Sequence, residues 1–414
     1  MAKIKLIDLF ECVESALFAL GTTRKVVLSY RSLGFESLQR FFEKKGCLYY
    51  SKNLADEFVA ETLDAYKKKR ISKSRKTSIR KVAAMLDECK ETGAITWRIL
   101  PPCNAPPPIG KNFANVLTQY LLDNKERYAS STLGDHRHVV KQFLRYLEER
   151  GHRNFCRLSR QIISDYFPIV AKRQPGRMSI VACVLKSFFG YLHENKHTDS
   201  EFVSVVPSGP AKRKRYFAGL TREEATALID SVPFGTHFNK RNIAIFTLAE
   251  NTGLRAVDVV NLKLSDIDWR NKTISVIQHK TKRPLILPFE NRVGDALAEY
   301  ILNGRPDSDS PFIFLSAQRP FRPISAIALS IAASKYINLS GVGNDPSFRK
   351  GFHCFRRSIG TWLLEAKLPL TMISEILGHG HVNSAKPYIS TDLEGLRECA
   401  IGLEGIEMRK GVFQ

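Results

Sequence analysis

The 414-residue sequence has no CxxC pair among its eight cysteines, Cys12, Cys47, Cys89, Cys103, Cys156, Cys183, Cys354 and Cys399. Their scatter argues against a zinc knuckle and a disulfide framework and fits a reducing cytosol. No uninterrupted apolar run approaches the ~18 residues needed to span a membrane. The opening "MAKIKLIDLFECVESALFALG" has a basic start and apolar residues, but Asp8, Glu11 and Glu14 interrupt it, so no signal peptide is expected. There is neither a Walker phosphate loop nor an acidic metal cluster. Acidic residues are also scarce: 41 Asp and Glu against 63 Lys and Arg leave a formal charge of +22. Such a chain repels itself unless a polyanion is its usual partner, with nucleic acid the first candidate. A basic protein that is merely soluble is the plainer alternative.

Length predicts two or three domains. Two breaks divide the chain. In "ILPPCNAPPPIGKN", prolines 101, 102, 106, 107 and 108 forbid helix and stiffen a linker. "VVPSGPAKRKRYFAG" is a Pro/Gly segment that turns into Lys212, Arg213, Lys214 and Arg215. The expected organisation is a basic helical block over 1–105, a helical block over 110–205, a basic linker over 206–217 and a third block over 218–414.

The fold class is mainly α with a small antiparallel β-hairpin. In the middle block, "STLGDHRHVVKQFLRYLEERG" sets Val139, Val140, Phe143, Leu144 and Leu147 on one helical face and stops at Gly151. "SIVACVLKSFFGYLHEN" reads as a second such helix. The first block faintly repeats this plan, "SLQRFFEKKG" echoing "QFLRYLEERG", although unrelated amphipathic helices give the same similarity. Its stretch "KKKRISKSRKTSIRK", residues 67–81, carries nine Lys/Arg and no acid. A solvated helix face explains a charge run, but the missing carboxylates favour phosphate contact. In the third block Thr221 and Glu224 predict a capping box, and "KTISVIQHKTKRPLILPF" predicts a hairpin.

Four separated pieces of the third block carry side chains suited to chemistry. Arg255 follows Gly253-Leu254 at the start of an otherwise apolar helix, with Asp258 three residues on as a local salt-bridge partner. Lys280 lies at the hairpin turn "QHKTKRP". His353 and Arg356, three apart, share a helical face and taken alone read as a satisfied surface pair. Leu370, Ile373, Ile376 and Leu377 form a core stripe ended by Gly378, which puts His379 just past a helix end, nine residues before Tyr388. Pro387 suits the first turn of a following helix.

Each piece alone has an ordinary structural explanation. In combination, "TGLRAVDVVNLKLSDID", "HKTKRPLILP", "HCFRRSIGTWLL" and "LGHGHVNSAKPY" resemble the arginine, lysine and histidine-arginine-tyrosine boxes of the tyrosine recombinases, the phage-integrase family. The resemblance covers about 218–395 well and about 110–205 more loosely, as a core-binding domain. It implies cleavage and rejoining of DNA through a 3′-phosphotyrosine on Tyr388. Arg255 and Arg356 would hold the nonbridging oxygens, His353 would take the tyrosine proton, Lys280 would protonate the leaving 5′-oxygen, and His379 would hydrogen-bond the phosphate. No cofactor and no metal are implied for this step. Two secondary positions depart from the family's pattern: Asp258 stands where glutamate is common, and Ala385 where threonine often lies.

The resemblance further implies a clamp around double-stranded DNA, with Lys212, Arg213, Lys214 and Arg215 along a groove and Arg173, Arg177 and Lys186 on phosphates. It implies a homo-tetramer on two duplexes, coupled through the segment after Tyr388, with accessory DNA-bending or directionality proteins as further partners. The additional N-terminal block suggests a mobile-element integrase or transposase in which residues 1–105 bind extra DNA sites. Rival readings are a type IB topoisomerase or hairpin resolvase, a non-catalytic sequence-specific DNA-binding protein, and an RNA or membrane-surface binder.

Overall fold

The computed structural model describes residues 4–96, 100, 108–208, 217–318, 321–345 and 347–380. Residues 100–214 form one compact unit, and residues 1–99 with 215–414 form another that holds two separate apolar cores.

The N-terminal residues form helices α1 (Leu6–Ala19), α2 (Arg24–Tyr30), α3 (Glu36–Lys44), α4 (Lys52–Lys67) and α5 (Lys73–Thr92). Between α2 and α3 the backbone widens into a π-turn over Arg31–Phe35. That turn brings Phe35 onto Phe10, with ring centroids 3.7 Å apart, and lays Gly34 against Val82 of α5. Ser72 caps α5 by accepting a hydrogen bond from the Arg75 amide at 3.2 Å. The basic run thus spans the end of one helix and the start of the next. Lys67, Lys69, Arg70 and Lys73 are exposed there, while Lys68 pairs with Asp64 at 2.7 Å and Lys76 lies 3.8 Å from the Tyr66 ring centroid.

The middle unit contains α6 (Lys111–Asp123), α7 (Ser130–Glu149), α8 (Arg160–Arg173) and α9 (Met178–Glu194). The expected apolar face of α7 is buried, with Val140, Phe143 and Leu144 inaccessible to water. At its polar edge Tyr120 meets His136 Nδ1 at 2.7 Å and donates to Ser187 Oγ at 3.0 Å, which supplies this buried hydroxyl with partners.

The third core is built on α10 (Arg222–Asp230), α11 (His237–Thr252), α12 (Ala256–Val260), α13 (Asn291–Asn303), α14 (Ala326–Ser340), α15 (His353–Glu365) and α16 (Leu370–Ile376). The capping box at α10 is present, Thr221 and Glu224 each satisfying the other's amide. A three-stranded antiparallel sheet, β1 (Ile267–Asp268), β2 (Thr273–Ile277) and β3 (Pro284–Pro288), lies in chain order. The hairpin registers Ile274 with Leu287 and Val276 with Leu285. Alternation sends Ile274, Val276 and Leu287 into the core and leaves Ile277 and Ile286 exposed on the other face. Phe246 of α11 stacks on Phe355 of α15 with centroids 5.6 Å apart, which packs together the helices that carry the candidate site.

Candidate functional site

Helix α11 ends at Gly253, whose φ of 62° is left-handed and whose amide bonds to Ala249 O at 2.9 Å. The chain then turns through Leu254 so that Arg255 caps α12 in an extended conformation. Helix α16 ends similarly. Gly378 has φ 61°, its amide donates to Glu375 O at 2.8 Å, and the His379 amide donates to Ser374 O at 2.7 Å. This is a Schellman ending, and it turns His379 back into the protein, where it is 7% exposed.

Arg356 joins these two helix ends. It is buried at 2% exposure, donating from Nη1 to Gly253 O at 3.1 Å and from Nη2 to Leu377 O at 2.5 Å. Carbonyls at helix C-termini lack intrahelical partners and carry partial negative charge, so a guanidinium is a fitting ligand for both. The surface pair that His353 and Arg356 suggest in isolation is not what forms. His353 opens α15 and is exposed, whereas Arg356 lies one turn deeper in the core.

The hairpin turn is bonded to the end of α16. Gln278 N donates to Arg283 O at 2.9 Å and Lys282 N to Gln278 O at 2.8 Å, closing a turn that exposes Lys280. Asp258 of α12 accepts from the His279 amide at 2.8 Å, and Arg283 donates to His379 O at 3.2 Å. Two elements distant in sequence thus hold the turn. Arg255 has the expected ion pair with Asp258, at 4.0 Å, but its direct hydrogen bond goes to Gln278 Oε1 at 3.0 Å.

The two imidazoles record how much positive charge gathers here. Desolvation lowers the pKa of His353 to about 4, with repulsion from Arg356, Arg357, Arg255 and Lys280 adding to it. His353 nevertheless keeps solvent access at the start of α15. Burial of His379 likewise lowers its pKa to about 4, aided by Arg356, Arg255 and His353. Both rings are therefore neutral at pH 7, able to accept a proton or donate a hydrogen bond.

Five of the six expected catalytic side chains, Arg255, Lys280, His353, Arg356 and His379, thus share one electrostatic neighbourhood. Tyr388 lies outside the described residues, as do Lys212, Arg213, Lys214, Arg215 and the segment after Tyr388. In the middle unit Arg173 is exposed at the end of α8 and Lys186 is half-buried on α9. Arg177 pairs with Asp135 at 2.7 Å, which compensates part of its charge.

Gln278, Thr281 and Arg283 also join the site, though their sequence positions alone do not single them out. Only for the first is there a partial signal: period-2 alternation through Ile274 and Val276 puts position 278 in an inward slot, where an amide needs partners.

Comparison with known proteins bears on the family and the fold. The profile of the phage integrase family matches residues 219–394. The integrase/recombinase y4gC of Sinorhizobium fredii is 33% identical over 194 residues, 46% of this chain and 97% of that one. The tyrosine recombinase XerC of Anoxybacillus flavithermus is 26% identical over 292 residues, 68% of this chain and 94% of its own. Among solved structures, a lambda integrase dimer bound to a core site superposes with a TM-score of 0.51 at 18% identity, covering 73% of this chain and 99% of that one. That likeness concerns the fold.

Proposed function

The chain belongs to the phage integrase family, the tyrosine recombinases, and from that premise we propose that it breaks and rejoins DNA at specific sites with Tyr388 as nucleophile. The observation that carries the residue-level reading is the convergence of Arg255, Arg356, Lys280 and two neutral imidazoles from four separate elements. Tyr388 Oη bonds to phosphorus as the bond to the 5′-oxygen breaks. The phenol has an ordinary pKa of about 10 and must lose its proton on attack. His353, neutral at pH 7, accepts that proton. Lys280 on the exposed turn donates a proton to the departing 5′-oxygen. Arg255 and Arg356 hold the nonbridging oxygens with planar, permanently charged donors. His379 donates a hydrogen bond to the phosphate. Reversal with a different 5′-hydroxyl rejoins the strand, and the bond energy is conserved throughout.

The duplex is gripped by residues 110–205 and 218–414, with the basic linker 206–217 between them. Arg173 and Lys186 are the better placed phosphate ligands of the middle unit, since Arg177 already has Asp135. The exposed cations at the α4–α5 corner support a further DNA contact by residues 1–105. Four copies assemble on two duplexes, with accessory DNA-bending or directionality proteins setting the direction, and the reaction integrates or excises a mobile element.

The test is covalent trapping on a nicked suicide substrate, with genomic fragments where the site is not yet mapped. Wild type gives a protein–DNA band on a denaturing gel, and Tyr388→Phe gives none. A folded wild type that shifts its site yet never forms the band would refute the proposal. Strand exchange between two short duplexes then separates a recombinase from a topoisomerase.

A further inference from the structure

The two arginines are not independent. Gln278 is fully buried, and its Oε1 accepts from Arg255 Nη1 at 3.0 Å and from Thr281 Oγ1 at 2.7 Å. Its Nε2 donates to Leu377 O at 3.1 Å. That same carbonyl accepts from Arg356 Nη2, and Arg356 Nη1 donates to Gly253 O, two residues before Arg255. The bonds therefore close a ring, from Arg255 through Gln278, Leu377 and Arg356 to Gly253 and back along the backbone.

From this ring we infer that Gln278 is a positioning residue that sets the spacing between the Arg255 and Arg356 guanidinium groups. The inference rests on the recombinase reading above. The reverse amide orientation would aim N–H groups at a guanidinium and an oxygen at a carbonyl, so the partners define which way the side chain faces. The residue type also suits the task. Asp258 Oδ2 stands 4.0 Å from Arg255 Nη1, and Asp258 Oδ1 is engaged by the His279 amide. The direct acceptor on Arg255 is thus an uncharged amide, which orients the cation and leaves its charge for a phosphate. Gly378 belongs to the same design, since a Cβ there would lie 2.3 Å from Gln278 Nε2.

The test compares wild type with Gln278→Met, which fills the slot but breaks the ring, and Gln278→Glu, which keeps an acceptor for Arg255 but charges it and loses the donor to Leu377 O. Single-turnover cleavage at saturating DNA is read beside the Kd for DNA and the melting temperature. Displacing a clamp by ~1 Å costs about 100-fold in rate, so Gln278→Met should cleave about that much more slowly while its Kd changes little. Gln278→Glu should also cleave slowly, because it draws the charge of Arg255 away from the phosphate and opens the ring at Leu377. A substrate with sulfur at the 5′-bridging position needs no leaving-group protonation. It should rescue Lys280→Ala and leave Gln278→Met slow, because the defect lies at the nonbridging oxygens. If Gln278→Met does not fold, Thr281→Val, which removes one donor to Oε1, should show a smaller fall with the same pattern. Wild-type cleavage by Gln278→Met or by Gln278→Glu, or full rescue of Gln278→Met by sulfur, would each overturn the inference. A wild type that forms no covalent complex would instead overturn the recombinase reading itself.

Discussion

Replacing Gly378 by alanine probes the site's scaffold through one added carbon. Two costs arise there. The first is conformational: φ is 61°, and an L residue held in the left-handed region costs about 1–2 kcal/mol. The second is steric: the new Cβ would lie 2.3–2.5 Å from three atoms of the Gln278 amide, and overpacking of this kind adds about 1–3 kcal/mol. Gly341 isolates the first cost, because its φ is 70° and nothing lies within 4 Å of an added Cβ. The decisive quantity is therefore the difference between the two alanine variants, about 1–3 kcal/mol. For a domain of this size each kcal/mol shifts Tm by about 2–4 °C. Denaturant unfolding of Gly378→Ala and Gly341→Ala measures that difference, and suicide-substrate cleavage run in parallel should show a rate loss for the first variant alone. Equal destabilisation by the two, or a Gly378→Ala protein with wild-type cleavage, would refute the contact between Gly378 and Gln278 as described.

Three further outcomes are expected. Both His353 and His379 fall from 6.5 to about 4 on folding. The unfolded chain therefore binds more protons between those values, and stability should fall as pH drops from about 6.5 to about 4. Denaturant midpoints across that range should flatten in His379→Asn; an unchanged slope would remove His379 as a cause. Arg356→Lys cannot serve both Gly253 and Leu377 in the same geometry, so it should lose about 1–3 kcal/mol of stability and most cleavage in the trapping assay, with the duplex still bound. Asp135→Asn frees Arg177 from its 2.7 Å partner, so DNA affinity should rise and its salt dependence steepen; unchanged binding would place Arg177 away from the duplex.

The site residues are legible in the sequence only through the combined family resemblance, whereas their local settings follow from helix and turn rules. Gly253-Leu254-Arg255, the His353 to Arg356 spacing and the glycine before His379 each follow from rules that operate within one helical turn. The capping box at Thr221 and the alternation of the hairpin are local too. What escapes is the bonding among these pieces. Arg255 is 23 residues from Gln278, and Gln278 is 99 from Leu377. No periodicity reports a bond over such a distance. The π-turn at Arg31–Phe35 escapes for another reason: its helical residues fit an ordinary α pattern, and packing of Phe35 on Phe10 selects the wider turn. The burial of Arg356 escapes because a guanidinium is assigned to the surface by default, and only two helix ends meeting at one point make a buried place for it.

The seating of Arg356 on Gly253 and Leu377 also bears on how the protein meets its target. If Arg356 receives a phosphate as proposed, a cation that already rests on two carbonyls has little conformational freedom left to lose, so the entropic part of encounter is small at this position. Amide hydrogen exchange should then show little added protection in α11, α15 and α16 on DNA binding, and a large gain there would refute this reasoning. Folding has already carried out here the organisation that a looser site would have to perform on the DNA.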